Sequence, residues 1–275
     1  MPVTVQDVED PALWADLFTC DVDEQPVQFV KPADTDRPTW AAYDGGTYLG
    51  TVSAEVDGGR PLWRVQTTHE AHRDLDDAVR ALRRPASWPR EREQVAAWAK
   101  RLLADETLAA VDVESTGLDG SVAVQIAVVE PDGTVVFNEL VNPEGTMIEP
   151  GAIRLHKITP ERVKDAPTIG ELLPRLARAL HGRTVAAYNK DFDYGVLTRT
   201  LTRSLGSVEA ATAWLDQCRW HDVMEPYAVF KGLWSAKRGA YRFQPLGGPH
   251  DAVADARLVF ERLRQVAVTM SAARW

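Results

Sequence analysis

Hydrophobic and polar positions alternate along residues 39–67, and the period changes after that. Residues 39–43, 47–56 and 62–67 read as strands, joined by Asp44-Gly45-Gly46 and Asp57-Gly58-Gly59, turns of the kind that close hairpins. Leu75, Ala78, Val79 and Leu82 then recur at helical spacing, which predicts a helix of about ten residues from Asp74 packed across one sheet face. The unit is a small α+β layer of β-β-β-α order. Upstream of it, among Pro11, Pro26 and Pro32, residues 12–18 predict a short helix.

Arg83-Arg84-Pro85-Ala86-Ser87-Trp88-Pro89 breaks the helical pattern twice, because proline excludes the helical conformation from the residue before it. A boundary there divides the chain into domains 1–88 and 89–275. Residues 91–104 follow as an amphipathic helix carrying Val95, Trp98, Leu102 and Leu103 on one side. Next come strands over 108–114, 122–130 and 134–141, the last two a hairpin about Asp132-Gly133. A helix over 169–180 capped by Thr168, a short strand over 184–188, a helix over 194–203 and a long helix over 252–266 complete the pattern. Three strands in series and then αβα specify an α/β domain with a mixed sheet flanked by helices.

Composition narrows the class. With 45% hydrophobic and 26% charged residues over 275 positions, disordered, collagen-like and disulfide-scaffold chains are excluded. Cys20 and Cys218 are too few to staple a secreted fold and offer no Cys-x-x-Cys zinc site. No run of ~18 apolar residues exists, and Met1-Pro2-Val3-Thr4 opens without a basic, then apolar, leader. A cytoplasmic protein with no membrane partner is the expectation. The net charge of −9 argues against coating nucleic acid by bulk electrostatics, though not against a local site. Residues 1–100 hold 11 basic and 18 acidic side chains, so the N-terminal third carries −7 and the remainder only −2.

Three segments concentrate carboxylates. In Val111-Asp112-Val113-Glu114-Ser115-Thr116-Gly117 an apolar strand places acids at i and i+2, on one face. Two carboxylates side by side in a central strand repel each other and resist desolvation unless a cation holds them. Asp191-Phe192-Asp193 stands where a strand gives way to a helix, a place whose dipole also tolerates acids for structural reasons alone. His250-Asp251-Ala252-Val253-Ala254-Asp255 opens the last helix, putting Asp251 and Asp255 at i and i+4 with a histidine just ahead.

Asp-x-Glu-x-Thr-Gly, Asn-x-x-Phe-Asp and His-x-x-x-x-Asp, in that order, resemble the DEDDh 3′→5′ exonucleases, which include the proofreading epsilon subunit of bacterial replicative polymerase and ribonuclease T. The resemblance runs from about residue 108 to 266, with echoes in residues 152–159 and 166–168. It implies a ribonuclease H-like fold and two divalent cations, Mg²⁺ or Mn²⁺, held by Asp112, Glu114, Asp193 and Asp255, with His250 as general base. It also implies Thr116, Gly117 and Leu118 against the terminal nucleotide, His156 near a phosphate and Asn189 in the substrate site. The substrate so implied is the 3′ end of a nucleic acid, DNA ahead of RNA, shortened to nucleoside 5′-monophosphates. An RNA-trimming enzyme and a non-catalytic nucleic-acid-binding or polymerase-associated subunit are the competing readings. This chain has Tyr188-Asn189 where many members have His-Asn, Ser115 in place of a threonine, and a short segment before His250.

Residues 231–242 carry four positive charges, no negative ones, and Trp234 and Tyr241, which suits either a nucleic-acid track or a solvated loop. Arg83, Arg84, Arg90 and Arg92 read as a basic linker surface or as solubilising charge. The acidic N-terminal domain suits a polymerase or repair partner, or self-association, better than DNA.

Overall fold

The computed structural model describes residues 15–33, 38–58, 60–235 and 238–268. The chain divides into two compact units, Met1–Trp88 with Lys231–Arg242, and Pro89–Phe230 with Phe243–Trp275.

The first unit is a sheet of six strands in sequential order: β1 (Leu17–Val22), β2 (Gln25–Val30), β3 (Thr39–Asp44), β4 (Thr47–Asp57), β5 (Arg60–Val65) and β6 (Ala71–His72). All neighbours are antiparallel. The three strands expected from alternation form its middle and second half, and three more extend it. Where the sequence predicts a helix over 12–18, Leu17 and Phe18 lie in β1, and residues 12–14 fall outside the described residues. Gly59, part of the second expected turn, does too. One sheet face buries Val22, Val27, Phe29, Trp40, Ala42, Val52, Trp63 and Val65 beneath helix α1 (Leu75–Leu82), whose Asp74 cap accepts from the Asp76 amide. The side chains that alternate with these face outward, as one-sided antiparallel sheets require.

Arg83 is no linker surface. Its guanidinium is buried, donating to Asp44 at 3.0 Å and to the Val22 carbonyl at 2.9 Å. Arg84 pairs with Glu70 at 2.9 Å and lies 4.1 Å over the Trp88 ring. In the second unit Arg92 is likewise buried, its donors on the carbonyls of Val266 and Val268.

The second unit begins with α2 (Trp88–Leu103), then β7 (Leu108–Ser115), β8 (Ala123–Val129) and β9 (Val135–Leu140). Helices α3 (Pro150–His156), α4 (Pro160–Val163) and α5 (Ile169–Leu180) lead to β10 (Thr184–Ala187). Then come α6 (Lys190–Leu205), α7 (Val208–Leu215), β11 (Arg219–Asp222) and α8 (Met224–Lys231). After the short pair β12 (Trp234–Ser235) and β13 (Ala240–Tyr241), which belongs to the first unit, α9 (Ala252–Ala267) closes the chain's described part.

The five strands stand in the order β11-β10-β7-β8-β9, with β7 antiparallel to β8 and parallel to β10. The sheet is mixed, as expected, and consistent with the ribonuclease H-like fold that the resemblance implies. Its middle strands β7, β8 and β10 are buried on both faces, hence their mostly apolar sequences, whereas the polar β11 at the edge gave no such signal. One face packs on α5 and α6 through Val111, Val113 and Val185, the other on α2 and α9 through Leu108, Ala110 and Ala186. Helix α5 starts at Ile169 because Thr168 and Glu171 form a capping box. Helix α6 starts four residues earlier than periodicity predicts, with Asn189 as a left-handed cap.

Residues 231–242 use their aromatics on each other: the Trp234 and Tyr241 rings meet edge to face at 5.0 Å across the β12–β13 pair, and Arg242 reaches Asp23 at 3.4 Å. Ala236 and Lys237 lie outside the described residues. Among the described residues no helix is long and apolar enough to cross a membrane.

Candidate active site

Period-two alternation on β7 fixes where the first two acids point. Val111 and Val113 belong to the α5–α6 core, so Asp112 and Glu114 project to the opposite face, where α9 packs. The β7–β8 register shifts between Glu114 and Ser115, ending the ladder at the site. From α9, Asp255 enters one turn after the cap. Ligand atoms of Glu114, His250 and Asp255 all lie within 4.8 Å of one another.

Asp112 and Asp193 stand beside that trio. Asp193, 3% exposed, accepts the Val113 amide on Oδ1 at 3.0 Å, tying α6 to the strand that bears the other acids. Asp112 is held well above its ordinary value by burial and then by the charges of Asp193, Glu114, Asp255 and Asp251. Burial likewise raises Asp193. Burial, Asp255 and Asp251 push Glu114 up to about 7, and burial raises Asp255 against the pull of His250. Asp112, Glu114, Asp193 and Asp255, far apart in the sequence, thus lie close enough for the charges of the other three to act on Asp112.

Asp251 differs from its expected place: it is the cap of α9, with extended backbone, its carboxylate on the Ala254 amide at 3.0 Å, and so does not share the helical face of Asp255. His250 is exposed, in the left-handed region at φ 58°.

The expected substrate residues fall into two groups. Leu118 is 76% exposed beside Gly117, and Asn189 is exposed at the head of α6. Thr116 is buried, its hydroxyl accepting the Val122 amide. His156 is a brace: Nδ1 accepts the Ile158 amide at 3.0 Å, which leaves Nε2 to donate to the Ser115 carbonyl at 3.1 Å. Both ring nitrogens are therefore engaged by backbone, and the phosphate contact implied for His156 finds no free one. Burial lowers its pKa, in keeping with a neutral ring.

Two close approaches escaped the sequence. A Cβ on Gly117 would overlap the Glu149 carboxylate, and one on Gly248 would overlap the Asp255 carboxylate and approach Leu258 Cδ1 to 2.9 Å. Paired glycines ahead of Pro249-His250 were the available hint.

The donor set fits divalent cations. Asp255 Oδ1 is buried without a hydrogen-bond partner, and Asp193, Glu114 and Asp255 together raise the proton affinity of Asp112. Hard oxygen donors with unspent negative charge suit Mg²⁺ or Mn²⁺. Gly248→Ala is accordingly expected to displace Asp255, weakening Mn²⁺ binding about tenfold and costing about 1–3 kcal/mol of stability by overpacking. Calorimetric titration and thermal melting read both.

Residues 109–262, more than half of the chain, match the RNase_T family model, which describes exonucleases. The chain belongs to this exonuclease family. It is 32% identical over 104 residues to DNA polymerase III of PolC type from Bacillus cereus, covering 36% of this chain and 7% of that protein. To the uncharacterized exonuclease CP81 of Escherichia phage 186 it is 28% identical over 173 residues, 58% of this chain and 87% of the phage protein. Among solved structures, exonuclease X in complex with 5′-overhanging duplex DNA is 26% identical over 58% of this chain and 90% of that one, with a TM-score of 0.39.

Proposed function

We propose that this protein is a DEDDh-type, metal-dependent 3′→5′ exonuclease that removes nucleoside 5′-monophosphates from the 3′ end of DNA, single-stranded or frayed. The observation that carries this reading is the meeting of Glu114, His250 and Asp255 within 4.8 Å beside the mutually repelling Asp112 and Asp193. The partial match to a DNA polymerase favours DNA over RNA and makes a polymerase a candidate partner.

In this reading Asp112, Glu114, Asp193 and Asp255 would hold two divalent cations, which would supply charge neutralisation at the scissile phosphate and activation of water. His250 accepts the proton of the attacking water at an imidazole nitrogen and, being exposed, returns it to solvent. Attack at phosphorus breaks the bond to the 3′ oxygen of the penultimate nucleotide, which takes its proton from solvent. Leu118 offers an apolar edge to the terminal base, and Gly117 beside it leaves room for the Glu149 carboxylate.

Oligonucleotides of DNA and of RNA, labelled at the 3′ or the 5′ end and incubated in Mg²⁺, test the direction and the substrate. The expected result is immediate loss of 3′ label as mononucleotide, a descending ladder from 5′ label, faster decay of DNA, and arrest by EDTA. Binding without shortening would overturn the enzymatic reading, and preferential shortening of RNA would overturn the choice of substrate.

A further inference from the structure

The residues ahead of His250 form an extended strap with a regular alternation. Residues 243–249 belong to no helix or strand, yet Phe243, Pro245, Gly247 and Pro249 are exposed while Gln244, Leu246 and Gly248 are half-buried. Each inward position meets a fixed partner. The Tyr188 hydroxyl donates to the Gln244 carbonyl at 2.5 Å, Arg262 Nη2 donates to the Leu246 carbonyl at 2.5 Å, and Gly248 packs on the Asp255 carboxylate.

The two donors are themselves braced by one ring. Tyr188, directly after β10, meets Tyr227 edge to face at 6.3 Å, and the Arg262 guanidinium lies 5.3 Å from the centre of the same Tyr227 ring. Burial and Tyr227 push the Tyr188 phenol up to about 12, so it remains a donor throughout the neutral range. Beyond the strap, His250 at φ 58° is a single left-handed residue, followed at once by the Asp251 cap. A side-chain-bearing residue keeps that conformation only when the chain on both sides is fixed. The cap fixes one side. The tethers fix the other.

We propose that Tyr188 and Arg262 are positioning residues which, through the strap, set the imidazole of His250 against Glu114 and Asp255. This rests on the reading of His250 as proton acceptor. It also gives a purpose to Tyr188-Asn189, where the chain departs from the His-Asn of many relatives: the phenol reaches the strap.

Tyr188→Phe removes the donor and keeps the ring on Tyr227. Its kcat is expected to fall about tenfold to a hundredfold, as for a misplacement of about 1 Å, with KM within about twofold. Arg262→Gln should give the same split. On a His250→Ala background Tyr188→Phe should alter the residual rate by less than about twofold, because the tether acts only through the imidazole. In the metal-free protein, hydrogen exchange of peptides spanning 243–250 should accelerate in Tyr188→Phe while β7 and α5 keep their protection.

Unchanged exchange in the strap, a kcat within about twofold of wild type, or an equal loss on the His250→Ala background would each overturn the tether. A wild type that shortens no 3′ end, or a His250→Ala protein with undiminished kcat, overturns the reading of the site instead. The exchange measurement then judges the tether by itself.

Discussion

Asp112→Asn is expected to lose at least about a thousandfold in exonuclease turnover while the metal-free protein becomes more resistant to alkaline melting. Both effects have one cause. Asp112 carries a charge that the fold does not neutralise: burial and four neighbouring acids raise its proton affinity, so its ionisation opposes folding. A carboxyl whose folded-state pKa exceeds the unfolded one supports stability below the unfolded value and loses that support as pH rises through the folded value. Asparagine does not titrate. The variant's melting temperature should therefore fall less than the wild type's between pH 6 and pH 9 in EDTA. If the two melting temperatures fell equally between pH 6 and pH 9, the strain attributed to clustered negative charge would be refuted, whatever happened to turnover.

Divalent cations should stabilise the wild type far more at pH 8 than at pH 6. Glu114 shows the sign: its ordinary value of 4.5 is moved to about 7, so the unfolded chain releases this proton well before the folded one does. Moving from below pH 4.5 to above pH 7 thus costs the metal-free fold about 3 kcal/mol at this residue alone. Cation binding returns that free energy, yet below about pH 7 it must first displace the proton. Histidines complicate the raw curves. His156, His181 and His221 are all held below their ordinary value by burial, and so favour folding as pH rises through the same range. The decisive quantity is therefore the shift in melting temperature with and without Mn²⁺ at each pH, in which the histidine contribution cancels. An equal shift at pH 6 and pH 8 would show that protons and cations do not compete for these carboxylates.

How much of this could be read from the chain depended on what kind of signal each part emits. Buried strands such as β7 and β8 announce themselves by mostly apolar runs, and α5 by the cap at Thr168, whereas Asp251 as the cap of α9 was not foreseen. The acids were legible because Asp112 and Glu114 at i and i+2 in an apolar strand are anomalous. The first hairpin was not. Its turn is Asp23-Glu24, both at positive φ, where an Asn-Gly or Gly-Gly pair would have been the recognisable signal. Edge strand β11, Arg219-Trp220-His221-Asp222, gave no apolar signal because none of its four residues is fully buried. His156 shows a different limit: motif position placed it near the site, but only coordinates reveal that backbone groups already occupy both nitrogens.

The membership of residues 231–242 in the N-terminal unit bears on how the polypeptide is made. Strands β1–β6 leave the ribosome long before the β12–β13 ribbon that completes their unit, and at ~5–20 residues per second the interval is of order ten seconds. During that interval the six strands are all available to pair, while the residues of the second unit up to Phe230 are synthesised. A product consisting of the first 88 residues would keep all six strands of the sheet but lack the ribbon and the ion pair of Arg242 with Asp23.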